Sequence, residues 1–191
     1  MAADEAMIED LLREAEVKMQ KSLDALHKEL STIRTGRATP ALLERVHVDY
    51  YGTQTALQQL AQIHAPEPRL LVIQPYDRSS IAAIEKELQK SELGLNPSND
   101  GQVIRIPFPP LTEDRRKELV KVVKHKIEEA RVAIRNIRRD EQHGIQEFEK
   151  EHMISQDDAK RGLDHLQKVT DKFIGMADET GARKEAEILE V

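Results

Sequence analysis

One stretch, from Thr112 to about Met153, limits most sharply what this chain can fold into. It begins TEDRRKELVKVVKHKIEEARVAIRNIRRDEQ and contains no proline. Leu119, Val123, Ile127, Ala130, Ile134 and Ile137 recur at spacings of three and four. That spacing puts them on one face of a helix, a face that partner helices must cover. Thr112 is placed to cap the start, with Glu113 and Asp114 in the first turn, where unpaired backbone N–H groups favour negative charge. At about 1.5 Å per residue a helix of about 40 residues reaches roughly 60 Å. An elongated protein is therefore expected. Gly144 should weaken this helix by about 1 kcal/mol without breaking it.

The same stretch is basic inside an acidic chain. Arg115 to Arg139 hold ten Lys and Arg against three Glu, a local net charge of +7 in a protein of net −6. Lys117, Lys121, Lys124, Arg131, Arg135 and Arg138 recur at helical spacing, forming a stripe beside the apolar seam. Arg131, Arg135, Arg138 and Arg139 have few acids three or four positions away; Glu128 can serve Arg131. Rows of guanidinium groups suit phosphates and neutralise a backbone without reading sequence. With no aromatic residues interleaved, the stripe favours a structured nucleic-acid backbone over a single-strand stacking platform. Three other readings stand beside this one: a solvated face paired with acids of neighbouring helices, a coiled-coil adaptor for an acidic protein, and a general nucleic-acid chaperone.

Two further amphipathic helices flank the rest. The first runs from Ala6 to Ile33, with Ile8, Leu12, Ala15, Met19, Leu23, Leu26, Leu30 and Ile33 on one side, and RTGRATP (Arg34 to Pro40) ends it. The last starts near Ser155, capped with Asp158, and carries Ala159, Leu163, Leu166, Thr170, Phe173 and Ala177. Gly175 and Gly181 predict fraying or bending in its later part. Between the first two helices the period changes. Arg45–Tyr50 alternates as a strand ending in a turn around Gly52; Leu57–Ile63, weakened by its glutamines, and Arg69–Gln74 read as further strands. Ser79–Lys90 reads as a short helix facing inward through Ile81, Ile84 and Leu88; Asn99–Asp100–Gly101 is turn chemistry before a last strand, Gln102–Ile106.

The expected class is α+β: a three-helix bundle of residues 1–33 and 107–191, with a small α+β domain, 34–106, inserted between its first and second helices. Two adjacent connections would form a hinge, one through Thr35 and Gly36, the other through Pro107, Pro109 and Pro110. Arg34 and Arg37 place two more cations there, or are simply solvated linker residues.

Little chemistry is legible. There is no cysteine, the seven histidines are dispersed, and no glycine-rich phosphate loop or HExxH motif occurs, so no metal, cofactor or catalytic activity is expected. No run approaches 18 apolar residues, and MAADEAMIEDLL lacks the pattern of a signal peptide, so a cytoplasmic location and no membrane contact are expected.

The motifs IRTGRATPALL (Ile33–Leu43), VDYYGTQT (Val48–Thr55), ELGLNP (Glu92–Pro97), DGQVIRIPFPPLTEDRRKELVK (Asp100–Lys121), ARVAIRNIRRD (Ala130–Asp140) and ISQDDAKRGLDHLQKVTDKFI (Ile154–Ile174) closely resemble the ribosome recycling factor family. The resemblance runs collinearly over essentially the full chain. It implies an L-shaped monomer of about transfer-RNA size, with a β/α/β domain inserted in a three-helix bundle. It also implies binding to the large ribosomal subunit, against 23S ribosomal RNA near the A and P sites. Elongation factor G and GTP would then drive separation into subunits, releasing messenger and deacylated transfer RNA, and initiation factor 3 would keep the small subunit free. Arg131, Arg135, Arg138 and Arg139, with Arg34 and Arg37, are the RNA-contacting positions so implied; Lys121 and Lys124 join them as candidates through the spacing of the stripe. Two departures from the family pattern are Gln54 and Ala56, where a looser turn is expected, and Glu141–Gly144, where local stiffness is in question.

Overall fold

A computed structural model describes residues 2–190, with side chains from Ala6 onward. Met1 and Val191, assigned to the bundle by sequence, lie outside the described residues. The chain separates into two compact units, one holding the residues up to Ile33 together with Glu113–Glu190, the other Arg34–Thr112.

The first unit is three long helices: α1 (Ala2–Ser31), α4 (Glu113–Lys150) and α5 (Gln156–Leu189), each packed on the other two. The 38 residues of α4 span about 57 Å. From α1, Ile8, Leu12, Ala15, Met19, Leu23, Leu26 and Leu30 are buried, and from α4 Leu119, Val123, Ile127, Ala130, Ile134 and Ile145. Ile137, expected in the seam, sits half-buried at the stripe's edge, and Glu141 takes an inward position instead. Its carboxylate accepts from Lys18 Nζ of α1 at 2.8 Å. With Glu14 also bonded to it, the Lys18 ammonium is held well above its ordinary range.

α5 starts as expected: Ser155 Oγ accepts from the Asp158 N–H at 3.1 Å. The expected fraying at Gly175 and Gly181 is not found, and the helix is continuous to Leu189. Gly181 is buried because α4 crosses there. A Cβ on it would lie 2.0 Å from Ile127 Cδ1 and 2.5 Å from Cγ1. The residue is a close-approach site, which explains a glycine inside a helix despite its propensity.

The second unit holds a two-stranded antiparallel hairpin, β1 (His47–Tyr50) with β2 (Thr53–Ala56), and a four-stranded antiparallel sheet. That sheet has the order β3 (Ala61–Glu67), β4 (Leu70–Pro75), β6 (Ile104–Pro107), β5 (Ser98–Asn99). The helical turn α2 (Leu57–Leu60) and the helix α3 (Ile81–Lys90) complete it. The expected strand over Leu57–Ile63 is thus divided: Leu57–Leu60 turns helically to bury both leucines, and the strand begins at Ala61. The hairpin closes tightly through Tyr51 (φ 50°) and Gly52 (φ 82°), whose N–H donates to Asp49 Oδ1 at 2.8 Å. Gln54 and Ala56 lie in its paired second strand, so no loosened turn is present. Leu43, Val48, Leu57, Leu71, Ile73, Ile84, Leu88, Ile104 and Ile106 form a fully buried core.

Residues 107–112, expected with the bundle, belong to this unit. Pro107 ends β6, in register with Leu70, and the Phe108 N–H donates to Arg69 O at 2.8 Å. Proline has no N–H to give the ladder, so it fits at a strand end. Gly36 (φ 76°) lies so close to Leu111 that an added Cβ would stand 3.4 Å from Cγ.

Candidate nucleic-acid interface

On α4 the positive stripe occupies the side next to α5. Two contacts fix this: Arg131 reaches Asp178 and Arg138 reaches Gln167, both on α5. Lys126, off the stripe on the other side, reaches Glu29 of α1 at 3.1 Å. The row therefore borders the α4–α5 groove while the aliphatic seam turns inward, one helix serving two faces.

The members of the row differ in how much charge they keep. Arg131 is half-buried and bonded to two carboxylates: Nε to Asp178 Oδ1 at 2.7 Å and Nη1 to Glu128 Oε2 at 3.1 Å. Asp178 foremost, then Glu128, raises its pKa further, so it stays protonated at any working pH. Arg135 is more exposed and shares Glu128 at 3.4 Å. Arg138 bonds a neutral amide. Lys121, Lys124 and Arg139 are exposed and make no ion pair among the described residues. Positive charge along α4 is thus cancelled most at Arg131, in part at Arg135 and Lys117, and retained at Lys121, Lys124, Arg138 and Arg139. Arg34 and Arg37 are also exposed, but they belong to the inserted unit.

Within the stripe, among the described residues, the reading of a face paired with acids from neighbouring helices holds for Arg131 only. Asp178 was not singled out from sequence, because helical spacing reports partners within one helix only. A signal did exist: Asp164, Asp171 and Asp178 fall seven apart on α5, a row parallel to its core stripe. Gln167 escaped for the same reason.

Among the described residues no group of three or more His, Cys, Asp or Glu is arranged to hold a metal ion, and no helix is long and apolar enough to cross a membrane.

Similarity to known proteins accounts for both units. The family described as Ribosome recycling factor matches residues 26–189. The ribosome-recycling factor of Carboxydothermus hydrogenoformans is 60% identical over 185 residues, 97% of this chain and 100% of its own. That of Syntrophomonas wolfei is 55% identical with the same coverage. A solution structure of a ribosome recycling factor superposes with a TM-score of 0.67 at 43% identity, covering 96% of this chain and 98% of its own. A second solved structure comprises models for the T. thermophilus ribosome recycling factor and the E. coli elongation factor G bound to the E. coli post-termination complex. It matches with a TM-score of 0.60 at 48% identity, over 95% of this chain and 98% of that one. From the arginine-bearing helix to the inserted sheet, the chain belongs to the ribosome recycling factor family.

Proposed function

We propose that this chain separates the post-termination ribosome into subunits, acting with elongation factor G and GTP and having no catalytic activity of its own. Its family membership along nearly the whole sequence carries the reading. The bundle binds the large subunit, with Lys121, Lys124, Arg135, Arg138 and Arg139 set against phosphates of 23S ribosomal RNA near the A and P sites. The charge that Lys121, Lys124, Arg138 and Arg139 retain, and that Arg135 retains in part beside Glu128, supports this placement. Arg131 contributes mainly as a clamp between α4 and α5, since its guanidinium is bonded to two carboxylates. Arg34 and Arg37 are secondary contacts. Elongation factor G, which accompanies the T. thermophilus relative in models bound to the E. coli post-termination complex, acts on the bound factor, and initiation factor 3 then holds the small subunit apart. The hinge of this reading is Thr35 and Gly36 on one connection and Pro107, Pro109 and Pro110 on the other, Pro107 standing at the end of β6.

Sedimentation of post-termination ribosomes with this protein, with and without elongation factor G and GTP, tests the whole reading. Splitting into subunits is expected only when all components are present. Within that assay, the paired substitution R135Q and R139Q should weaken large-subunit binding and flatten its salt dependence by about two, one per phosphate contact, with unfolding unchanged. Unchanged affinity and slope would remove this row from the interface.

A further inference from the structure

Arg131 and Arg138, two turns apart, are held in opposite ways. Arg131 commits Nε, Nη1 and Nη2 to carboxylates, Nη2 lying 2.6 Å from Asp178 Oδ1. Arg138 commits only Nη1, at 2.8 Å, to Gln167 Oε1; its Nε is buried without a hydrogen-bond partner among the described residues. The first arrangement cancels a charge. The second fixes a guanidinium and leaves its charge whole.

Gln167 is itself oriented. Its Nε2 donates to Asp171 Oδ1 at 2.8 Å, one turn further along α5. A side-chain amide has one donor end and one acceptor end, and a carboxylate can take only the donor end. Asp171 therefore turns the oxygen of Gln167 toward Arg138, so the hydrogen-bond network itself settles which way the amide points. The carboxylate sits one residue behind the contact and makes no bond to the arginine.

We infer that Gln167, held by Asp171, is a positioning residue that presets Arg138 as a phosphate ligand of the row. This inference rests on the proposed binding of ribosomal RNA by α4. A neutral acceptor removes rotamer freedom from a long side chain before binding, so less is lost when a phosphate arrives. A carboxylate in its place would order the arginine equally but neutralise it. The alternative is that Gln167 merely joins two helices, in which case its loss is felt in stability and is independent of Arg138.

The test measures dissociation constants for purified large subunits across a salt series, with thermal unfolding of each protein alongside. The variants are Q167A, Q167E, R138Q and the double variant Q167A with R138Q. Gln167 is exposed and alanine is a good helix former, so Q167A folds. Q167A should weaken binding by up to about tenfold, the scale of one long side chain's rotamer freedom lost on binding, with its salt slope unchanged and its melting temperature little moved. Q167E should weaken binding and reduce the slope by about one, as the loss of one phosphate-neutralising charge requires. The double variant should bind no more weakly than R138Q alone. If Q167A costs as much in the R138Q background as in the wild type, or Q167E leaves slope and affinity intact, Gln167 does not act through Arg138 and the inference falls. If R138Q binds like the wild type, the assignment of the row to RNA fails first and takes the inference with it.

Discussion

In the bundle, seven buried side chains of α1, from Ile8 to Leu30, are strung along roughly 33 Å of one helix and meet the seams of α4 and α5 layer by layer. In the inserted unit, nine fully buried residues come from five short elements and the helical turn Pro40–Leu43 and converge on one centre. The first arrangement makes a rod whose stiffness is spread over its length. The second makes a nodule in which every element depends on the same few contacts. A protein that must hold a row of charges in register along a helix needs the former; a unit to be moved as a body needs the latter.

Core truncation tests this contrast with the largest expected effect. Ile73→Ala in β4 and Ile134→Ala in α4 both remove side chains of 0% exposure, and each should cost about 3 kcal/mol. Amide hydrogen exchange should separate them. Ile73→Ala is expected to raise exchange together in β3, β4, β6 and α3, with the bundle still protected. Ile134→Ala should loosen the three long helices and leave the sheet protected. Loss of protection confined to β4 alone would mean that the inserted unit is not a single cooperative body.

The bundle's close helix contact gives a second test, in which one substitution changes sign along one helix. Gly181→Ala brings a methyl into Ile127 and should destabilise by about 2 kcal/mol, the usual cost of overpacking. Gly175→Ala on the same helix has nothing within 4 Å and should stabilise by up to about 1 kcal/mol through propensity alone. Thermal unfolding of the two variants reads both. If Gly181→Ala were stabilising as well, Ile127 would be yielding and the α4–α5 crossing would be looser than described.

That glycine also marks where sequence reasoning stops. The three helices were legible because Ile8 to Leu30, Leu119 to Ile134 and Ala159 to Ala177 repeat a pattern that physics ties to one face. RLLVIQ was legible as a buried strand for a similar reason. But a glycine read in isolation means backbone freedom, and only the partner helix reveals that Gly181 is there for lack of a side chain. The strand at Ser98–Asn99 exists by pairing with β6, which no local pattern encodes. The glutamines of Leu57–Leu60 obscured a single helical turn whose purpose is to bury two leucines. On α4 the basic stripe was legible as a row of side chains, yet its division into cancelled and retained charge depends on Asp178 and Gln167. These lie 47 and 29 residues from their arginines and are brought there only by the register of α5 against α4.

The smallest expected effect compares how the two units secure helix starts. In the bundle, Ser155 caps α5 and its hydroxyl, foremost, with Arg161 keeps the Asp158 carboxyl below the usual carboxylate range. In the inserted unit, Asp77 accepts from the Ser79 N–H at 2.9 Å and hydroxyl at 2.7 Å and is likewise held low, first by that hydroxyl. For a carboxylate with a depressed folded pKa, the stabilisation is complete above the unfolded value, about 3.9 for Asp, and is lost as pH falls through the folded one. Ser155→Ala should cost about 1 kcal/mol at neutral pH. Because the substitution also releases Asp158 toward its ordinary range, the gap between variant and wild type should narrow as pH falls below about 4. Ser79→Ala should show the same narrowing in the exchange of β4 and α3 but none in the bundle. Unfolding followed from pH 7 to pH 2 decides the point: a gap that stays constant across that range would show that the serines act as backbone caps alone, with no coupling to the carboxylates beside them.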